Sequence, residues 1–287
     1  RDHKAVLATL LEVPERPPGP MWAPLYYAVL AACCKAGLVR DAFGVWLEMP
    51  ERDERSYNMM INLCGRTRRL ADAEALFAEM AASSIEASSV TYCALLNGFA
   101  GQARHEDARR LLETMKQQPH LDITTDWDQV YLLVMSAAAR AGRYAEARRL
   151  LQEAQAERDV APRHAHYNAL LVACARTGDA AAARGIFAEM RSQGLAPREI
   201  DWNIFVQCSR GDFGECRRIL GEMRDIHGVA PSEETFAALL QAAGASPNAG
   251  QACFWVLAEM RSAGVDPERP TSPRLRLEMQ RVYGGKK

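Results

Sequence analysis

The chain has 287 residues, of which 48% are hydrophobic and 25% charged, as is usual for a globular protein. Its net charge of −1 at pH 7 excludes a strongly basic protein, so any nucleic-acid surface must be a local patch. No apolar run approaches the roughly 20 residues that cross a bilayer, which argues against a membrane-spanning protein.

The first 22 residues precede the regular part of the chain. LLEVPER at 10–16 resembles WLEMPER at 46–52, so residues 2–13 are predicted to form the second helix of a truncated repeat. A Pro-rich break, PERPPGP at 14–20, follows it. The chain begins at Arg1 rather than Met and shows no targeting segment, so we expect any such segment to have preceded it.

A short phrase ending in methionine recurs along the chain. Its methionine is found at Met49, Met80, Met115, Met190, Met223 and Met260, as in LFAEM at 76–80 and IFAEM at 186–190, and LLQEA at 150–154 is a weaker copy without the methionine. A return after about 35 residues is typical of one helical hairpin per repeat. Ala183, Phe187 and Met190 are spaced as one face of an α-helix, so the phrase is predicted to be the second helix of each hairpin.

A second pattern precedes each phrase and begins with an aromatic residue. Apolar residues follow three and four positions later, which is again one stripe of an α-helix. The aromatic residues are Tyr57, Tyr92, Tyr167, Trp202 and Phe236. Glycine ends the helices, as in RTGD at 176–179 and GLAP at 194–197, so each unit contains two helices.

These signals predict an all-α fold. One hairpin cannot bury its apolar stripe alone, so we expect a right-handed α-solenoid of stacked helix-turn-helix repeats of about 35 residues. A capping helix from Ser272-Pro273 and a tail are predicted within 269–287. The sixth and seventh repeats are expected to be distorted, around Gly211 and at GASPNAG. The seven predicted repeats are 23–53, 54–88, 89–127, 128–163, 164–198, 199–232 and 233–268.

The sequence of the fifth unit, YNALLVACARTGDAAAARGIFAEMRSQGLAP at 167–197, resembles the pentatricopeptide repeat. EMPERDERSYNMMI at 48–61 resembles the short-linker variant of that family. Tetratricopeptide repeats have a small residue four positions after the aromatic, where this chain has Ile61 and Leu171. The resemblance covers 23–268 and is weakest in the fourth and sixth units. It implies an organelle-targeted protein that threads single-stranded RNA along its first helices, about one base per unit.

The resemblance also implies that two residues in each unit read the base, namely the residue after the aromatic and the residue that closes the unit. The candidate pairs are Asn58 with Ser88, Asn168 with Arg198, and Asn203 with Ser232. In the family, Asn at the first position favours pyrimidines, whereas Arg198 departs from the family pattern. The remaining units place Tyr27, Cys93, Leu132 and Ala237 after the aromatic, so we expect weak selectivity.

Amides also line the first helices beside the apolar stripe, among them Asn62, Asn97 and Gln207, and amides both donate to and accept from base edges. The alternative is that they form a solvated helix face. Cations close most first helices and would form a ladder for phosphates. The alternative for these cations is that they stabilise the helix C-terminus, by ~0.3–1 kcal/mol, without any ligand. The cations are Lys35, Arg66, Arg140, Arg176 and Arg210.

No catalytic motif stands out, so we predict no enzyme, no cofactor and no metal site. RNA-editing members of the family carry a C-terminal deaminase with HxE and CxxC zinc ligands, and neither is found in this chain. His164 and His166 have no Cys or carboxylate partner nearby in sequence, which disfavours a metal site. The eight cysteines fall mostly in apolar patterns, which is typical of reduced core thiols.

The sequence therefore predicts an organellar RNA-binding adaptor that holds single-stranded organellar RNA with weak sequence selectivity. We expect it in an organellar matrix or stroma, with the mitochondrion favoured over the plastid, without membrane insertion or a small-molecule substrate. The alternative is a structural scaffold subunit of a large organellar assembly, such as a mitochondrial ribosome. Such a subunit would contact ribosomal proteins, proteins of another large complex, or folded RNA by shape, and the near-zero net charge and irregular reading residues keep this alternative open.

Overall fold

The computed structural model of the chain describes residues 23–118, 121 and 126–284. The predicted helix of residues 2–13 and the Pro-rich break lie outside them. The described residues contain fifteen α-helices and no β-strand, which confirms the all-α fold. The helices are α1 (Ala23–Ala36), α2 (Val39–Glu48), α3 (Glu54–Arg66), α4 (Leu70–Ala82), α5 (Ser89–Gly101), α6 (His105–Lys116), α7 (Trp127–Arg140), α8 (Tyr144–Arg158), α9 (His164–Thr177), α10 (Ala180–Ser192), α11 (Glu199–Cys208), α12 (Phe213–Gly221), α13 (Glu233–Gly244), α14 (Ala249–Ser262) and α15 (Pro273–Gly284).

The helices form two compact units, divided between Ala137 and Ala138 within α7. In the first unit, α1, α3 and α5 stack on one another, and α2 and α4 pack against the first helix of the next hairpin. In the second unit, α9, α11, α13 and α15 stack in the same way, and α8, α10 and α12 pack against the following first helix. Each unit is therefore a stack of helical hairpins, with first helices in one layer and second helices in the other.

The recurring methionine lies in the core of each hairpin. An unbranched thioether fills irregular gaps between helices, which suits a position that faces two helices at once. Ala154, which replaces this methionine in the weaker copy of the phrase, is also fully buried. The methionines with no exposed surface are Met80, Met115, Met190, Met223 and Met260.

Aromatic residues join neighbouring hairpins. The ring of Phe187 in α10 lies 4.7 Å from that of Trp202 and 4.9 Å from that of Phe205, both in α11. The predicted burial of Phe187 is confirmed, and the structure adds that its ring packs on the next hairpin. Trp46 makes the same kind of edge contact with Tyr57, at 5.3 Å between ring centroids. This geometry contributes about 0.5–1.5 kcal/mol beyond area burial.

Close backbone approach also holds the first helices of the first unit together. A Cβ atom on Gly65 of α3 would lie 3.2 Å from the Cα of Gly98 in α5, so a side chain at either position would require the neighbouring atoms to move by a few tenths of an ångström.

The turn after most first helices contains one residue with left-handed backbone. Gly178 has φ +75°, and its N–H donates to the carbonyl of Cys174, which caps α9. Arg68 and Ala103 have the same backbone, with φ of 63° and 58°, although neither is glycine. The turn geometry therefore persists where the sequence lacks the glycine that favours it.

The sixth hairpin is irregular, as expected. Its first helix, α11, has 10 residues, compared with 14 in α9. A π-helical segment, Glu222–Ile226, continues α12 and carries the recurring Met223. Such a π-helical turn accommodates an extra residue in the helix, which keeps Met223 fully buried. The predicted capping helix is observed as α15, which packs against α13.

Candidate nucleic-acid interface

The residue after the aromatic is half-buried in five of the seven first helices and buried in the other two. Asn58 and Asn168 are half-buried, whereas Asn203 retains 7% of its surface and Ala237 none. Capping boxes set the entry of several of these helices. In α3, the Asp53 carboxylate accepts from Ser56 N–H at 2.9 Å, which fixes where the helix begins.

The structure brings Asn58 and Ser88 together through a third residue, Glu54, at the start of α3. The amide of Asn58 donates to Glu54 Oε1 at 3.2 Å, and the Ser88 hydroxyl donates to the same oxygen. Glu54 and Asn58 are one helical turn apart, which places both side chains on one face.

The sixth hairpin repeats this arrangement. The Asn203 amide donates to Glu199 Oε1 at 3.3 Å, and the Ser232 hydroxyl donates to that oxygen as well. We call each set of Glu, Asn and Ser a carboxylate-linked pair. Neither Glu54 nor Glu199 is among the site residues predicted from the sequence. The available signal was a glutamate four positions before the asparagine in both units.

The fifth hairpin does not link its pair. His164 takes the position of the glutamate, and Asn168 forms no side-chain hydrogen bond with any residue in the described ranges. The Arg198 guanidinium instead lies 3.8 Å from the buried carboxylate of Asp201, at the entry of α11.

The first hairpin links its two positions directly. Tyr27 shares a hydrogen bond with Asp53, and burial together with this bond raises the pKa of Tyr27 to about 12. The guanidinium carbon of Arg55 lies 5.2 Å from the centre of the Tyr27 ring.

Two exposed apolar side chains lie near the reading positions. Val90 is 61% exposed in α5 and Ile200 is 53% exposed in α11, each two residues before the aromatic. Neither belongs to the buried stripe. The sequence signal for both, which the predicted site residues do not include, is an apolar residue outside the helical periodicity.

The cations that close the first helices have no carboxylate partner. Four of the five are exposed, and Arg210 is half-buried. None forms an ion pair with a residue that the structure describes. Arg176 Nε donates to the backbone carbonyl of Arg140 at 3.1 Å, from one first helix to the end of another. Arg210 Nε donates to the carbonyl of Gln207 at 3.2 Å, so these two also cap helix ends.

Several arginines of the second helices form ion pairs with glutamates, whereas Arg40, Arg191, Arg217 and Arg261 of the same layer have no carboxylate partner among the described residues. Arg184 Nη1 lies 3.2 Å from Glu222 Oε1, and Arg224 Nη1 lies 3.3 Å from Glu259 Oε2. Arg148 pairs in the same way with Glu189. These glutamates belong to the recurring phrase, so the phrase supplies both a core methionine and an ion pair between hairpins.

His166 and seven of the eight cysteines occupy core positions. His166 is fully buried, and its Nδ1 accepts from the Arg163 N–H at 3.1 Å. Seven cysteines are buried, Cys93 is half-buried, and all eight are free thiols. Burial raises the pKa of Cys174 and Cys208 to about 12, which keeps them protonated. Within the described ranges, no three potential ligands gather into a metal site, and no helix has the length and hydropathy to cross a membrane.

Comparison with known protein families identifies the repeats. A PPR repeat family model matches residues 52–101, and a pentatricopeptide repeat domain model matches 149–212. A third model, PPR repeat, matches 25–53, 90–119 and 130–158. Together these matches cover more than half of the chain.

Relatives carry the same repeats. The chloroplastic pentatricopeptide repeat-containing protein At3g09650 of Arabidopsis thaliana is 24% identical over 86% of this chain and 32% of its own length. The mitochondrial pentatricopeptide repeat-containing protein At2g13420 of Arabidopsis thaliana is 38% identical over 26% of this chain and 15% of its own length. The chain thus spans about a third or less of these two proteins.

Solved structures share the fold. The pentatricopeptide repeat protein PPR10 from maize superposes with a TM-score of 0.64 at 24% identity, over 99% of this chain and 47% of that one. The nuclear protein-only RNase P 2 of Arabidopsis thaliana superposes with a TM-score of 0.52 at 13% identity, over 71% of this chain and 47% of that one. With the repeat models and the stacked hairpins, these results show that the chain belongs to the pentatricopeptide repeat family.

Proposed function

We propose that this protein binds single-stranded RNA along its first helices. The exposed cations at the ends of the first helices carry the proposal. Cations at the ends of first helices lack carboxylate partners among the described residues, whereas Arg184 and Arg224 of the second-helix layer are paired. Cations without a carboxylate partner at the first-helix ends of five of the seven hairpins suit a polymer with one phosphate per nucleotide. The RNA-binding character of the family supports the same conclusion.

We further propose weak base selectivity, with pyrimidines favoured at the second and sixth hairpins. Asn58 with Ser88 and Asn203 with Ser232 have the polar groups to contact a base edge, and Val90 and Ile200 offer apolar surface to a base face. Each specific contact contributes ~1–3 kcal/mol of discrimination. Two base-specific contacts give too little discrimination to select one transcript among all the RNAs of an organelle.

We propose that the protein acts as an adaptor in an organelle and presents RNA to other factors without catalysis of its own. The relatives described above as chloroplastic and mitochondrial support an organellar location. The buried thiols suit a reducing compartment.

The direct test is equilibrium binding of the purified chain to short fluorescent single-stranded RNAs between about 50 and 200 mM salt. With four to five phosphate contacts, we expect the slope of log affinity against log salt to be about −3. Selection from a randomised RNA library should enrich pyrimidines at two positions and little else. No RNA binding, together with stable co-purification with a large particle, would support the scaffold alternative.

A further inference from the structure

The two carboxylate-linked pairs leave little of their hydrogen-bonding capacity for a ligand. The Asn58 amide N–H and the Ser88 hydroxyl both donate to Glu54, and Asn203 and Ser232 both donate to Glu199. A carboxylate only accepts, so it fixes each asparagine with its NH2 group towards the glutamate. One N–H of each asparagine amide and the hydroxyl hydrogen of each serine are therefore already in use, so that only the second amide N–H remains as a donor to a base edge.

The other half of each amide is held away from solvent. Oδ1 of Asn58 and Oδ1 of Asn203 are buried, and neither accepts a hydrogen bond within the part of the chain that the structure describes. An unsatisfied buried acceptor is unfavourable, and rotation of the side chain towards a ligand would relieve this cost. In this orientation each asparagine gains a hydrogen bond to the glutamate through its NH2 group but leaves its buried Oδ1 without a donor.

From these contacts we infer that Glu54 and Glu199 are internal competitors that mask the reading residues of the second and sixth hairpins. This inference rests on the proposed RNA binding and explains why its selectivity is weak. A pyrimidine edge must displace the carboxylate before Asn58 or Asn203 can contact it. The fifth hairpin lacks the competitor, because His164 stands in that position and Asn168 is not held.

The test compares the chain with the double variant Glu54→Ala/Glu199→Ala, using oligouridine, oligocytidine and oligoadenosine. We expect affinity for all three RNAs to rise because two negative charges are lost, and the preference for pyrimidines over adenosine to rise by about tenfold. A gain of binding does not arise from misfolding. Glu86→Ala is the matched control, since Glu86 is exposed close to Ser88 and should raise the affinity for all RNAs alike.

A double-mutant cycle measures the coupling directly. Asn58→Ala/Asn203→Ala should change binding by less than about twofold in the natural chain, but should abolish the gained preference in the Glu54→Ala/Glu199→Ala background. Asn168→Ala should weaken binding in both backgrounds equally. A pyrimidine preference that stays unchanged or falls when the glutamates are removed would overturn the inference while leaving RNA binding intact.

A measurement without RNA separates this inference from the proposed function. In nitrogen-15 NMR spectra, the side-chain NH2 signals of Asn58 and Asn203 should shift on Glu54→Ala/Glu199→Ala, and those of Asn168 should not. Unshifted signals would overturn the masking whether or not the chain binds RNA. If the NH2 signals shift but neither the natural chain nor the Glu54→Ala/Glu199→Ala variant binds RNA, the proposed function is wrong. The glutamates would then have no role in RNA recognition.

Discussion

Arginines in the two helix layers have different neighbours. Arg184 and Arg224 of the second-helix layer each contact a glutamate of the next hairpin, so that they join neighbouring repeats. Arg66 and Arg140 at the ends of first helices are exposed and have no carboxylate partner among the described residues. Arg184 and Arg224 thus join neighbouring hairpins, whereas Arg66 and Arg140 remain available to a polyanion. Substitutions in the two layers should therefore separate stability from binding.

The largest expected effect comes from substitutions in the hydrophobic core between the two helix layers. Phe187→Ala removes the ring contacts with Trp202 and Phe205 and should lower the free energy of unfolding by ~3–5 kcal/mol. Leu171 is fully buried, and Leu171→Ala should lower the free energy of unfolding by ~2–5 kcal/mol. Urea denaturation followed by circular dichroism measures this loss. Hydrogen exchange should loosen first in the hairpins next to the fifth, because contacts join neighbours only. Uniform loosening along the chain would contradict a repeat architecture.

Acid should destabilise the start of α9, where a buried histidine stays neutral. Burial lowers the pKa of His166 from 6.5 to about 4. Between these values the unfolded chain binds a proton that the folded chain does not. The free energy of unfolding should therefore fall by up to ~3 kcal/mol as the pH drops from 6.5 to about 4, and be unaffected by this group above pH 6.5.

Denaturation curves at several pH values test the role of His166. His166→Gln should flatten the decline, since glutamine does not titrate. An equal slope in the His166→Gln variant would assign the acid sensitivity to other groups.

The next effect concerns the ion pairs between second helices. Glu189 accepts from Arg148 and, at 3.2 Å, from the Tyr167 hydroxyl. Glu189→Gln should lower the free energy of unfolding by ~1 kcal/mol, because the pair is only partly buried, and should leave the salt dependence of RNA binding unchanged. Arg149→Gln is the control, since Arg149 pairs only with Glu146 of its own helix and should change stability by less than ~0.5 kcal/mol. A loss of RNA affinity in Glu189→Gln without a loss of stability would break the separation of the layers.

The sequence was sufficient for the helices because their signals are local. The spacing of Ala183, Phe187 and Met190 repeats every turn of one helix, and all three residues are buried as that spacing predicts. The capping helix was predictable for the same reason, since Ser272 and Pro273 mark its start within two residues.

Contacts between hairpins were not predictable in the same way. Glu54 meets Ser88 across 34 positions, and Arg184 meets Glu222 across 38. Such pairs depend on the offset between stacked hairpins, which a periodic pattern within one helix does not encode. The candidate site was therefore predicted as a set of positions, whereas the glutamates that bind its asparagines emerged only from the packing.

A smaller effect is expected at the ends of the first helices. We expect the slope of log affinity against log salt to become less steep by ~0.7 for each of the substitutions Arg66→Gln, Arg140→Gln and Lys35→Gln. Each substitution should weaken binding to every RNA sequence alike. Stability should stay within ~0.5 kcal/mol, because these side chains have no ion pair to lose. Arg110→Gln in α6 is the matched control, since Arg110 is 77% exposed and its partner, Asp107, lies on the same helix. An unchanged slope with lower thermal stability would mean that the cations only cap helices.

The smallest expected effect is at Arg68, where two substitutions distinguish the contribution of the side-chain charge from that of the backbone conformation. Arg68 occupies the left-handed turn position with φ 63°, where the ninth helix has Gly178 with φ +75°. This conformation costs a residue with a side chain ~1–2 kcal/mol, whereas glycine loses ~0.5–1 kcal/mol through the entropy of the unfolded chain. Arg68→Gly should therefore raise the free energy of unfolding by ~0.5 kcal/mol. Arg68→Ala removes the same charge but keeps the Cβ, so it should match Arg68→Gly in RNA binding without the gain in stability. Equal stability of the two variants in urea denaturation would show that the charge of Arg68, rather than its backbone, governs this turn.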